Sequence, residues 1–357
     1  MKQYLPEAKA GNPADQLMVG ELLIYPISVG GCQWEPKEDK SRTKEGIGWY
    51  LKAANQGFTT AMIELGDIYA DAHLPFLHQD FTLSSQWYKK AADLNDSRGQ
   101  YKYAMFLLEG VGTQQANDSA VQLLRLSSFN GNINAQNKLA EFYYEGDNVI
   151  QDKERALKLW KIAARHCSVS AADNLIRIKE IPLTEEGKVI IRPYLSEFYR
   201  DNSPALAGCS SAQSDIAGCY EEKNRCADIS PNEDKAREWR LRAAESGDWV
   251  RQKDLFEQFL KPDSKDKESD NKISACYFGT LIEVTNPIAF KPDKYSLYRK
   301  KEDEKYWNGL RNDSKERLAT LKATMNPDEL KACSDKIDAW SQLHPEVSED
   351  ELRSLVF

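Results

Sequence analysis

Ala61-Met62-Ile63-Glu64-Leu65-Gly66-Asp67-Ile68-Tyr69, followed by Gln86-Trp87-Tyr88-Lys89-Lys90-Ala91-Ala92, decides the fold, because both halves recur. The second half stands 38 residues earlier as Gly48-Trp49-Tyr50-Leu51-Lys52-Ala53-Ala54. It returns as Leu123-Leu124-Arg125-Leu126-Ser127-Ser128, 36 residues after Trp87, and as Leu159-Trp160-Lys161-Ile162-Ala163-Ala164, 36 further on. Trp239-Arg240-Leu241-Arg242-Ala243-Ala244 follows after 80, two periods of about 40. The first half keeps pace at Ala135 to Tyr143 and Ala212 to Tyr220, and more weakly at Gly99 to Leu107. The step from the second small residue of one copy to the first of the next is seven residues each time: Ala54 to Ala61, Ala92 to Gly99, Ser128 to Ala135, Ala164 to Ala171.

Helical geometry explains the spacing. In the first half a small residue, a Leu four on, another small residue and a Tyr eight on share one face. The small positions admit a second helix at close range. In the second half the stripe is a small residue (Ser84, Ala120, Ala156 or Ala236), then Trp or Leu, then a small pair. Gly57, Gly131 and Gly247 follow second helices where a left-handed cap is wanted, and Gly110, Gly112 and Gly146 end first helices. Each unit is a helix hairpin that cannot bury both faces alone and must stack on neighbours.

The motif A-x-x-x-L-G-x-x-Y, then a small residue and x-x-W-Y-x-K-A-A, resembles the Sel-like repeat family, cousins of the tetratricopeptide repeat. The resemblance covers about residues 8–260, with strong copies near 58–95, 132–167 and 209–247. It implies an all-α fold, a right-handed superhelical α-solenoid of about six helix hairpins with a C-terminal helical cap. The first copy is degenerate, with a long insertion around Val29 to Lys44. The fifth, 168–205, keeps Ala171 and Leu175, while Gly187 to Pro193 alternates like an extended segment. Three regions are therefore expected: a solenoid over 5–260, a charged linker over 261–272, and a helical cap or partner-docking segment over 273–357. In the last, Tyr295 to Met325 reads as a long helix that could break near Asn312-Asp313-Ser314. Asn326-Pro327 starts another helix, and Ser348 opens a final short one.

Composition agrees with a thin, layered core. The 357 residues are 41% hydrophobic and 29% charged, and the mean hydropathy is −0.64. With 48 basic against 56 acidic residues, the net charge of −8 gives no basic surplus for nucleic acid or an anionic membrane. No stretch reaches the ~18 apolar residues of a spanning helix. The N-terminus lacks a signal-peptide core, which leaves a cytoplasmic protein or an exported one whose leader has been removed.

No catalytic constellation is legible, and the chain reads as a non-enzyme. No phosphate loop, G-x-S-x-G, H-E-x-x-H or paired C-x-x-C occurs. His73, His78 and Asp80 lack helical ligand spacing and a nearby cysteine, so a loop contact is preferred to zinc. Leu206-Ala207-Gly208-Cys209 mimics a lipidation box but lies mid-chain. No metal and no cofactor is expected. The seven cysteines, Cys32, Cys167, Cys209, Cys219, Cys226, Cys276 and Cys333, read as small buried hydrophobes or as bridges. Cys219 with Cys226, and Cys276 with Cys333, are sterically plausible pairs. The resemblance adds that exported family members use such bridges.

In stacked hairpins the first helices line the concave surface. Aligned on Leu65, the residues expected to face it are Gln16, Ile63, Asp67, Tyr101, Met105, Asn137, Glu141 and, one turn on, Tyr144. Tyr101, Met105 and Tyr144 would form a mixed patch of the kind used in interfaces. The resemblance implies a protein-binding solenoid. The leading expectation is a periplasmic immunity-type inhibitor of a toxic secreted effector such as a phospholipase, as in type VI secretion. A cytoplasmic regulatory adaptor is the alternative. A protein partner is expected, with no nucleic acid and no membrane span.

Overall fold

The structure is a computed structural model that describes residues 3–25, 40–71, 74, 77–180, 209–221, 230–261, 268–284, 301–344 and 347–357. Among the described residues there are seventeen helices and no strand. The extended segment expected at 187–193, the lipidation-like Leu206 to Gly208 and most of the insertion around Val29 to Lys44 lie outside them. The chain divides into two compact units, one of residues 1–156 with 352–357, the other of residues 157–351. The division falls inside the stretch read as one repeat array.

In the first unit a short helix α1 (Leu5–Ala10) packs on α2 (Pro13–Ile24), and three hairpins follow. They are α2 with α3 (Lys40–Asn55), α4 (Thr59–Ala70) with α5 (Phe81–Asp93), and α6 (Ser97–Glu109) with α7 (Asn117–Phe129). Next comes α8 (Ile133–Glu145), which packs on α7, and α9 (Lys153–Arg165) begins at the end of the unit. In the first two hairpins a glycine on the first helix lets the second helix come close. Gly20 and Gly66 each receive the face of a fully buried tyrosine from the second helix, Tyr50 and Tyr88. A Cβ on Gly20 would meet Tyr50 Cδ1 at 2.6 Å, closer than real atoms approach. Between hairpins the small pairs touch: a Cβ on Gly99 would stand 2.6 Å from the Ala91 methyl. The second-helix tryptophans are nearly buried and are covered by a cation three residues on, Lys52 over Trp49 and Lys90 over Trp87, both at 3.9 Å.

The seven-residue step has a hydrogen-bond basis. After each second helix a left-handed residue donates its N–H to the carbonyl of the second small residue, and the next residue donates to the first. The pairs are Gly57→Ala54 with Phe58→Ala53, Asn95→Ala92 with Asp96→Ala91, and Gly131→Ser128 with Asn132→Ser127. In the second unit Cys167→Ala164 with Ser168→Ala163, and Gly247→Ala244 with Asp248→Ala243, repeat them. This satisfies the orphan carbonyls of a helix end by the Schellman pattern. The left-handed residues have φ from +60° (Asn95) to +100° (Gly247). The residue that follows is also the next helix's N-cap: the side chains of Asp96, Asn132, Ser168 and Asp248 accept from backbone N–H groups of α6, α8, α10 (Val169–Arg177) and α13 (Trp249–Phe259). Two small residues, a left-handed turn and a cap fill the constant interval.

The second unit holds α10, the hairpin α11 (Ser210–Glu221) with α12 (Glu233–Glu245), then α13 with α14 (Glu268–Val284). Helix α14 begins inside the stretch 261–272 read as linker, and it pairs with α13 as a further hairpin. Helices α15 (Lys301–Thr324) and α16 (Pro327–Leu343) pack on α14. Helix α15 runs unbroken through Asn312-Asp313-Ser314. Asn326 and Glu329 cap α16 reciprocally, as a capping box. The Trp340 indole donates to the Glu245 carbonyl at 2.7 Å and ties α16 to the end of α12. Helix α17 (Glu349–Val356) opens at Ser348, whose hydroxyl accepts from Glu351 N–H.

The chain's last residues do not simply seal an end. Leu352 to Phe357 belong to the first unit. There Leu355 and Val356 are buried, and Phe357 meets Phe129 edge-on at 6.0 Å. The Arg353 guanidinium covers Phe129 at 4.7 Å, and Tyr143 Oη donates to the Val356 carbonyl at 3.4 Å.

Candidate functional site

The eight residues expected on the first-helix face all lie in the first unit, and the structure separates them into three groups. Gln16, Ile63 and Asn137 are buried. Gln16 donates to the Ala8 carbonyl and accepts from Gln56, so it ties α1, α2 and α3 together. Ile63 is 4% exposed inside the hydrophobic core. Asn137 donates to Glu141 Oε1 at 2.8 Å. These three are corrections to the expected face. Helix α4 packs against α3, α5 and α6, which encloses Ile63, two positions before Leu65. Asp67 is half-exposed but engaged: it accepts from Tyr88 Oη at 2.5 Å and from Lys102 Nζ at 2.9 Å.

Tyr101, Met105, Glu141 and Tyr144 are partly open to solvent on α6 and α8. Burial first, then the carboxylates of Glu141 and Glu109, push the Tyr101 phenol above its ordinary pKa, so the phenol keeps its proton near neutrality. Lys138 bonds Glu141 Oε2 at 3.1 Å and sits 5.1 Å over the Phe142 ring. Tyr144, near the end of α8, is covered by Lys153 at 5.4 Å from the start of α9.

Beside this face lies a cleft of about 320 Å³, lined by Met105, Leu108, Glu109, Gln115, Asn117, Lys138, Phe142, Asp147 and Asn148. Of these only Met105 was expected from the sequence. The cleft is framed by the loops that leave α6 and α8, and both loops are pinned. Gln115 Nε2 donates to the Leu108 carbonyl at 2.8 Å, and Gln151 Nε2 to the Tyr144 carbonyl at 2.9 Å. Gln79 does the same to Ala70 at 2.7 Å in the preceding hairpin. Gln79, Gln115 and Gln151 are spaced 36 and 36 residues apart, a periodic signal readable in the sequence but lying outside the apolar stripes. Asn117 Nδ2 bridges the two loops to Asn148 Oδ1 at 2.7 Å.

Asp80, weighed as a zinc ligand, caps α5 by accepting from Leu83 N–H, and His73 lies outside the described residues. No group of three or more His, Cys, Asp or Glu able to hold a metal stands among the described residues, and no described helix is long and apolar enough to cross a membrane.

The cysteines are mostly bridged. Cys276 joins Cys333, linking α14 to α16. Cys167 joins Cys209, a pair the sequence did not suggest, across 42 residues from the start of α10 to the start of α11. Cys219 is also disulfide-bonded, and its proposed partner Cys226 lies outside the described residues.

The Sel1 repeat family model matches residues 38–58, 59–96, 97–132, 133–166 and 210–248. No curated protein sequence matches the chain. Similar solved structures include a Sel1 repeat protein from Oxalobacter formigenes, 21% identical, covering 79% of this chain and 88% of that one at a TM-score of 0.37. Another is c5321, a protective antigen present in uropathogenic Escherichia coli strains that displays an SLR fold: 17% identity, 98% and 80% coverage, TM-score 0.42. A third is the immunity protein Pa5087 from Pseudomonas aeruginosa: 16% identity, 68% and 82% coverage, TM-score 0.39.

Proposed function

This chain belongs to the Sel1 repeat family, a family of protein-binding solenoids, and from that premise we propose that it is an immunity-type inhibitor that occludes a toxic effector. The observation that carries the reading is the partly exposed face of α6 and α8, where Tyr101, Met105, Glu141 and Tyr144 stand beside a pinned cleft that Met105 also lines. Tyrosine and methionine on rigid helices suit a folded protein surface, where both are enriched and aromatic anchors carry much of the binding energy. A pre-ordered face loses little entropy on association.

The cysteines support an exported protein. Five described cysteines are in disulfides, and disulfides persist in oxidising compartments such as the periplasm. An inhibitor stationed there meets an effector delivered from outside before it reaches its substrate. Co-expression with the product of each neighbouring gene tests the proposal. Protection from one toxic product, with a stable complex, is the expected result; protection from none sinks it. The other reading, a cytoplasmic regulatory adaptor, is separated by titrating thiols on unreduced, denatured protein. About one thiol per chain is expected for the exported protein, against all seven for the adaptor.

A further inference from the structure

We propose that the cleft between α6 and α8 receives a basic side chain, an arginine or lysine, presented by the protein partner; the inference rests on the protein-binding reading above and names the chemistry of its contact. The cleft has an apolar wall and an acidic rim. Met105, Leu108 and Phe142 form the wall, and Glu109 and Asp147 stand exposed at the rim. Among the described residues neither of these two carboxylates is engaged in an ion pair. A long basic side chain fits both parts, because its methylene stem covers apolar surface while its head stays polar. A guanidinium also bonds carboxylates through two parallel N–H groups.

The lining contains one cation, Lys138, and it argues for the same chemistry. Its charge is offset by Glu141 at 3.1 Å, and its ammonium already lies over the Phe142 ring. With that pair cancelled, Glu109 and Asp147 set the sign of the cleft. The raised pKa of the neighbouring Tyr101 reflects burial first, and then the carboxylates of Glu141 and Glu109. The rim is held before any partner arrives, by Gln115 on the Leu108 carbonyl and by Asn117 on Asn148. The net charge of −8 attracts a basic partner over longer range.

The test uses full-length protein labelled with ¹³C at the methionine methyls, of which the chain has five. The Met105 signal is assigned through Met105→Leu. Nα-acetyl-arginine methylamide is titrated in, with the uncharged isostere Nα-acetyl-citrulline methylamide as the control at matched ionic strength. The expected result is a saturable shift of the Met105 methyl with the arginine probe, with the citrulline probe at least about tenfold weaker. The double variant Glu109→Gln/Asp147→Asn, helical by circular dichroism, should lose the arginine response. Equal response to both probes, no response to either, or an unchanged response in the double variant would overturn the proposal. The function reading fails separately. A protective partner that binds the double variant as well as it binds wild type keeps that reading and removes this one. A selective arginine response with no protective partner does the reverse.

Discussion

The ring of Tyr88 lies against the Cα of Gly66 so closely that a methyl group there would stand 2.6 Å from Tyr88 Cδ1. The tyrosine has no room to retreat: it is 1% exposed, and its hydroxyl is held by Asp67. Gly66→Ala should therefore cost about 1–3 kcal/mol through overpacking and lower the melting temperature by roughly 2–4 °C per kcal/mol. The double-mutant cycle with Tyr88→Leu locates the cause. The alanine penalty should shrink when the ring is gone; penalties that add to within about 0.5 kcal/mol would mean that the two residues do not clash.

Truncation after Glu351 should destabilise the first unit, although it removes the far end of the chain. Leu355 and Val356 are buried there, and burying two such side chains is worth on the order of 3 kcal/mol. Melting curves of full-length and truncated protein should separate. Superimposable curves would show that the docking of Phe357 on Phe129 carries no free energy.

Cys276 and Cys333 close a loop of 57 residues across α14 and α16. Their joint replacement by serine should lower the stability of the second unit by about 2–4 kcal/mol. The comparison is made by urea unfolding of oxidised wild type and variant. With excess reductant in both samples the difference should largely vanish; a gap that survives reduction would point to packing of the sulfurs instead.

Acid should loosen the start of α16. The Glu329 carboxyl is held below its ordinary pKa chiefly by the Asn326 backbone N–H, with lesser help from Ser269 and Lys272. A folded-state pKa below the unfolded one stabilises at pH values above the ordinary carboxylate range, and the benefit is lost as pH falls through that range and below. Glu329→Gln can still accept the Asn326 N–H but cannot titrate. Its stability should fall less than that of wild type between about pH 5 and pH 3. Parallel acid profiles would remove Glu329 from the account.

The hairpins were legible in the sequence because their determinants are local. Leu65, Gly66, Tyr88 and the pair Ala91-Ala92 sit at fixed offsets on two helices, and each offset has a steric meaning. The face was only partly legible. Tyr101, Met105 and Glu141 are partly exposed, but Ile63 and Asn137 are enclosed, since one helix's pattern does not count the neighbours that cover it. The cleft is not legible because its rim sets Glu109, the last residue of α6, beside Asp147 in the loop after α8, and the shape there depends on Gln115 and Asn117 reaching carbonyl and amide partners. The bridge from Cys167 to Cys209 and the seat of Phe357 are non-local, and no spacing rule announces either.

The junction bonds make the length of this protein quantised. Residues 97–132 form one complete period, entered after Asp96 and left after Asn132, and these two residues play the same part: each follows a left-handed residue and caps the next helix. Excision of that period splices Asp96 to Ile133 and keeps every bond of the joint, whereas removal of one residue more or fewer misplaces the cap. The chain is thus editable in whole periods, like a sentence that loses a clause and still parses. What excision would take away is not the grammar but the content: Tyr101, Met105 and Glu109 on one side, and on the other the Phe129 ring on which the final residue rests.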